Sequence, residues 1–89
     1  MLSAALVEFL GTSLLVGTVA FTGVPVLIVA ALAVAIALGG KVSGGHFNPA
    51  VTAWALASGK LSKAKAFSYI FAQVAAAVFV WITGSMIKI

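Results

Sequence analysis

Ser43-Gly44-Gly45-His46-Phe47-Asn48-Pro49-Ala50-Val51 is an uncharged stretch set between long apolar runs. A chain reversing in water is expected to carry charge at such a place. Here a short apolar run follows instead. This is the pattern of a re-entrant loop, which dips into a bilayer and returns on the same side. Asn48-Pro49 is a strong helix start. Asparagine is a favoured N-cap, and proline fits the first helical position because the N–H it lacks would be orphaned there anyway. An Asn that caps through its side-chain oxygen keeps both amide N–H groups as free donors. Those donors and the positive end of a half-helix would face a cavity. Such a site suits neutral hydrogen-bonding solutes and repels cations.

Composition supplies the bilayer. The chain has 89 residues, 64% hydrophobic and 7% charged. A soluble domain carries roughly a quarter of its residues as charged groups, so lipid is the expected solvent. There is no cysteine, hence no disulfide framework and no thiol chemistry. The net charge of +4 comes from five lysines and one glutamate, without arginine. No basic patch interleaved with aromatics points to nucleic acid. No cofactor and no enzymatic chemistry are expected.

A transmembrane helix needs about 20 mostly apolar residues. Residues 2–21 form the first candidate, and Thr22-Gly23-Val24-Pro25 a tight turn. Residues 26–40 form the second, with Gly39-Gly40-Lys41 expected to stop the helix. Residues 43–58 hold the loop and a half-helix. Ten residues from Pro49 rise about 15 Å, half a hydrocarbon core. Gly59-Lys60-Leu61-Ser62-Lys63 is a polar turn, and residues 64–87 form the third span. The expected fold is an all-α membrane protein, a single unit of three transmembrane helices and one re-entrant half-helix. Alanine at many helical positions, Ala30, Ala31, Ala33, Ala35 and Ala37 in the second span and Ala72, Ala75, Ala76 and Ala77 in the third, implies close packing in lipid.

Two polar groups fall at membrane depth. Glu8 lies about seven residues into the first span, roughly 10 Å deep. Gln73 lies about nine residues into the last span, measured from the same side. A bare loop in the bilayer leaves backbone groups unpaired at several kcal/mol each. Glu8 can accept from the loop and Gln73 can accept and donate, so both read as braces for it. The alternative is that Glu8 is a titrating carboxylate of a proton-coupled transporter. His46 has no neighbouring His, Cys or carboxylate in sequence, so it reads as a hydrogen-bonded loop residue and no metal is expected. Lys41 reads as a snorkelling helix-end lysine. Trp54, Tyr69 and Trp81 read as packing or interfacial residues.

Residues 43–52 resemble the first Asn-Pro-Ala loop of the aquaporins, the major intrinsic protein family. Glu8-Phe9-Leu10-Gly11-Thr12 resembles the family's first-helix signature, and Tyr69-Ile70-Phe71-Ala72-Gln73 its third helix. The resemblance covers the whole chain but only half of an aquaporin. Family members carry six spans and two half-helices in two inverted repeats. The resemblance implies a solute path at Asn48, Pro49 and Ala50, with Asn48 donating at mid-membrane. It implies an acceptor ladder from the backbone carbonyls of Gly44, Gly45, His46 and Phe47, and a buttress from Glu8 and Gln73. It also implies that a second chain, inverted, completes one pore, and that the family's tetramer of pores needs eight chains. The expected activity is passive passage of water and of small neutral solutes such as glycerol, in an inner or plasma membrane.

The chain departs from the family at the pore mouth. Where the second motif of a family member is followed by the selectivity arginine, this chain has Val51. Counting back from Asn48 places Ile28 and Ile36 at the other mouth positions. A mouth of Ile28, Ile36, Val51 and Gly45 is more apolar than a water-selective filter. Lys41, Lys60, Lys63 and Lys65 fall on the side of the N-terminus and Lys88 on the other, so the positive-inside rule favours one orientation. An inverted homodimer then requires mixed insertion, the reading adopted; otherwise a different half-partner supplies the inverted unit. A competing reading is a small multidrug-type antiporter using Glu8, but those proteins have four full spans and no Asn-Pro half-helix.

Overall fold

The computed structural model describes residues 3–87. Within them the chain folds into four helices: α1 (Ala4–Phe21), α2 (Pro25–Ser43), α3 (Pro49–Ala57) and α4 (Lys63–Ile87). α1, α2 and α4 are long and apolar enough to cross a membrane. At 1.5 Å per residue they measure about 27 to 38 Å. α3, with nine residues, reaches about 14 Å and cannot span.

Local chemistry sets most of the helix ends. Ser3 caps α1, its Oγ accepting from Leu6 N at 3.1 Å. Gly23 turns the chain with φ 63°, and the Thr22 hydroxyl accepts from Val24 N at 3.1 Å. Pro25 then occupies the first turn of α2, where its missing N–H costs nothing.

The end of α2 differs from the expected stop at Gly39-Gly40-Lys41. The helix continues through both glycines to Ser43, and Gly44 ends it in the left-handed conformation at φ 93°. Gly39 serves packing instead. A Cβ there would come within 2.5 Å of Val7 Cγ1, so glycine lets α1 and α2 approach closely. Lys41 remains in the last turn of α2, where a cation favours the helix dipole. Lys88 lies outside the described residues.

α1 is central. It packs on α2 on one side and on α4 on the other; α2 and α4 are not packed side by side, and the Tyr69 hydroxyl of α4 reaches the last residue of α2, Ser43. α3 packs on α4 alone. The spatial order is therefore α2, α1, α4, α3, and the loop 44–48 crosses back over α1. The buried positions are mostly small, among them Gly11, Ala35, Gly39, Ala66, Ala72 and Ala76. Tyr69 and Phe47 are the large buried side chains, and Phe47, 2% exposed, clusters with Val7 and Ala35. Large apolar side chains such as Leu38, Phe71 and Trp81 point outward. That is costly in water and favourable against lipid tails.

Candidate functional site

The loop between α2 and α3 is organised by where its backbone groups go. Gly44 N donates to Gly40 O at 2.8 Å. Gly45 N donates to Ser43 Oγ at 3.1 Å. His46 N donates to Glu8 Oε2 at 3.1 Å and Phe47 N to Glu8 Oε1 at 2.7 Å. Every N–H from 44 to 47 is thus turned into the protein. Among the described residues, nothing donates to the carbonyls of Gly44, Gly45, His46 or Phe47. The glycines at 44 and 45 (φ 93° and 69°) and Phe47 (φ 52°) take left-handed conformations that split donors from acceptors in this way. For Phe47 this is uncommon in a residue with a Cβ. Its ring is held in a slot where a Cβ on Gly11 would overlap it.

Glu8 anchors the loop from α1. Besides the two loop amides, it accepts from the Ser43 hydroxyl at 2.7 Å and from Gln73 Nε2 at 2.8 Å. A carboxylate offers about four acceptor positions, and all four are engaged on a fully buried side chain. The same Gln73 Nε2 donates to Thr52 Oγ1 at 2.9 Å, while Gln73 Oε1 is buried without a partner. Thr52 Oγ1 lies 2.8 Å from His46 Nδ1. The Tyr69 hydroxyl donates to Ser43 O at 2.6 Å, and the Tyr69 ring meets His46 edge-on at 5.2 Å.

Asn48 begins α3. Its Oδ1 accepts from Ala50 N at 2.8 Å, and its amide N–H groups bond to nothing among the described residues. Asn48, Pro49, Ala50 and Val51 are all exposed on the open side of α3. Ile36 lies beside the loop, its Cγ1 3.5 Å from where a Gly45 Cβ would sit. Ile28 is eight residues earlier on α2, about 12 Å along the axis, so one chain does not bring all the mouth residues together.

Sequence reasoning passed over Ser43, Thr52 and the side chain of Phe47 as site residues. Tyr69, read from sequence as a packing or interfacial residue, does pack, at 1% exposed, and its hydroxyl also bonds the end of α2, which the sequence reading did not include. A signal existed for Tyr69. It lies one helical turn before Gln73, on the same face of α4. Trp54 and Trp81 point outward, and Lys60 Nζ stands 5.9 Å over the Trp54 ring.

The model of the family described as Major intrinsic protein matches residues 1–87. The chain belongs to the major intrinsic protein family. Among its relatives, a glycerol uptake facilitator protein-like 6 of Lactiplantibacillus plantarum is 40% identical over 86 residues, covering 82% of this chain and 38% of the relative. A probable aquaporin TIP-type of Medicago truncatula is 42% identical over 62 residues, covering 64% and 25%. Aquaporin-5 of Homo sapiens is 38% identical over 63 residues, covering 64% and 24%. The chain therefore spans well under half the length of these relatives. No solved structure matches it. Its three apolar helices and its family make it an integral membrane protein, and three spans with one half-helix correspond to half of the aquaporin fold.

Proposed function

We propose that this chain forms one half of a passive channel for water and small neutral solutes such as glycerol. The carrying observation is the loop. Four N–H groups are spent on the protein, four carbonyls in a row are left unbonded, and the row ends at the free amide of Asn48. Unbonded carbonyls are tolerated at membrane depth only where they line a water-filled path. A row of acceptors ended by a donor passes molecules that both donate and accept. The names of the relatives, a glycerol uptake facilitator-like protein and aquaporins, agree with such solutes.

The second wall of the path has to come from another unit. α3 is covered by α4 alone, and its exposed side carries Asn48, Ala50 and Val51. An inverted second unit of the same topology places two half-helices end to end at Asn48. Each mouth then combines Ile28 of one unit with Ile36, Gly45 and Val51 of the other, an arrangement consistent with the separation of about 12 Å between Ile28 and Ile36 along α2. The unit is a second copy of this chain, and eight chains would make a tetramer of pores in a cell membrane. Glu8 is a brace in this reading. Its acceptor positions are all engaged and its side chain is fully buried, which argues against the antiporter alternative.

Asn48→Ala tests the proposal. It removes the cap and the free donors together, and solute flux into reconstituted vesicles is expected to collapse. Unchanged osmotic shrinkage at normal protein insertion rejects the channel. Drug efflux driven by a pH gradient that survives Glu8→Gln rejects the antiporter, whereas its loss favours the antiporter only in a variant that inserts and folds as the parent does.

A further inference from the structure

The hydrogen bonds around His46 form a chain in which each link fixes the next. Gln73 Nε2 lies against the Glu8 carboxylate, which only accepts, so the amide nitrogen is the group that faces it. Its second hydrogen goes to Thr52 Oγ1. Thr52 therefore accepts from Gln73, and its own single hydrogen needs an acceptor. Thr52 is fully buried, and among the described residues only His46 Nδ1, at 2.8 Å, takes that hydrogen. An Nδ1 that accepts carries no hydrogen, so the ring hydrogen sits on Nε2. The buried, unpartnered Gln73 Oε1 shows the same constraint from the other end. The amide is held by Glu8 although its oxygen goes unsatisfied.

We propose that Thr52 is a positioning residue that holds His46 in the Nε2–H form, so that its imidazole presents a hydrogen-bond donor at the head of the carbonyl row. Nε2 is next to Gly44, 3.5 Å from where a Cβ there would sit. It has no partner among the described residues, and it is not sealed from outside. The edge-on Tyr69 ring limits rotation of the imidazole. The ligand is the oxygen of a small neutral solute, a water or an alcohol hydroxyl. That last step rests on the channel reading, whereas the tautomer does not. The path then has a donor at each end, His46 Nε2 and Asn48 Nδ2, with acceptors between them.

His46 is the only histidine, so ring-15N labelling in bilayers gives a single pair of imidazole signals. At neutral pH the expected result is a hydrogen on Nε2 and a hydrogen-bonded, bare Nδ1. Thr52→Val is expected to give mixed tautomers and roughly two- to tenfold lower flux, the scale of one lost hydrogen bond. Thr52→Ser is expected to restore both. A hydrogen on Nδ1 in the parent chain overturns the inference whether or not any variant folds. So does an unchanged tautomer in Thr52→Val. Flux in a parent chain with Nδ1–H would overturn this inference alone. Nε2–H in a chain without flux would overturn the channel and the solute role with it, leaving only the positioning by Thr52.

Discussion

Gly11 leaves no room for a side chain. A Cβ there would overlap the Phe47 ring, which is itself 2% exposed and wedged between α1 and α2. The ring keeps Phe47 in its left-handed conformation, and that conformation aims its N–H at Glu8. Gly11→Ala is therefore expected to cost about 1–3 kcal/mol, the usual range for overpacking, and to disturb the loop as well as the helix pair. Thermal unfolding in detergent measures the first effect and solute flux the second. Pairing Gly11→Ala with Phe47→Leu should recover part of the lost stability. If the double variant is no better than the single one, the slot is not what Gly11 provides. Glu8→Gln acts on the same loop by a different route. A glutamine offers one acceptor oxygen where four donors now converge, leaving buried N–H groups unpaired at about 1–3 kcal/mol each. Poor folding and lost flux are expected together. A stable, flux-competent Glu8→Gln chain would show that the loop holds itself.

The elements show what a sequence can and cannot disclose. The start of α3 was legible because a cap is a local device: Asn48 and Pro49 are adjacent, and the bond from Ala50 N spans two residues. The end of α2 was not legible. Gly39 looks like a stop on its own, but its surroundings include Val7, thirty-two positions earlier in the chain, and contact between the two keeps the helix running. Glu8 and Gln73 stood out because a polar group at membrane depth is rare. Ser43, Thr52 and Tyr69 did not, because hydroxyls are ordinary in apolar helices and only the three-dimensional arrangement supplies their partners. At this scale Val51 is the informative exposed residue of α3. Arginine at position 51 should narrow the mouth, cut glycerol flux more than water flux, and lower any cation leak by adding positive charge. Parallel shrinkage assays in glycerol and in an impermeant osmolyte separate the two fluxes. A parent chain that already passes water and rejects glycerol would refute the apolar mouth at Ile28 and Ile36.

At the scale of the whole molecule, two preferences oppose each other. Lys41, Lys60, Lys63 and Lys65 are all exposed, and all lie at the end where α2 finishes and α4 begins. An anionic leaflet rewards each with about 1 kcal/mol, so together they favour one orientation by about 4 kcal/mol. A chain left alone leaves the carbonyls of residues 44–47 without a hydrogen-bond donor among the described residues. In lipid each unpaired group costs several kcal/mol. Four such groups outweigh four lysines. In the proposed channel, closing the row around a water-filled path would stabilise an inverted neighbour by more than the lysine bias opposes it, and a second copy of the chain would supply that neighbour wherever insertion is mixed. Single cysteines at Ser62 and at the C-terminal end, treated with a membrane-impermeant thiol reagent on intact cells, report orientation directly. Partial labelling at both positions is expected for the inverted pair. Labelling confined to the C-terminal cysteine would mean that every copy points the same way. Every half-helix would then lie in one leaflet, and the inverted half of the pore would have to come from a different partner.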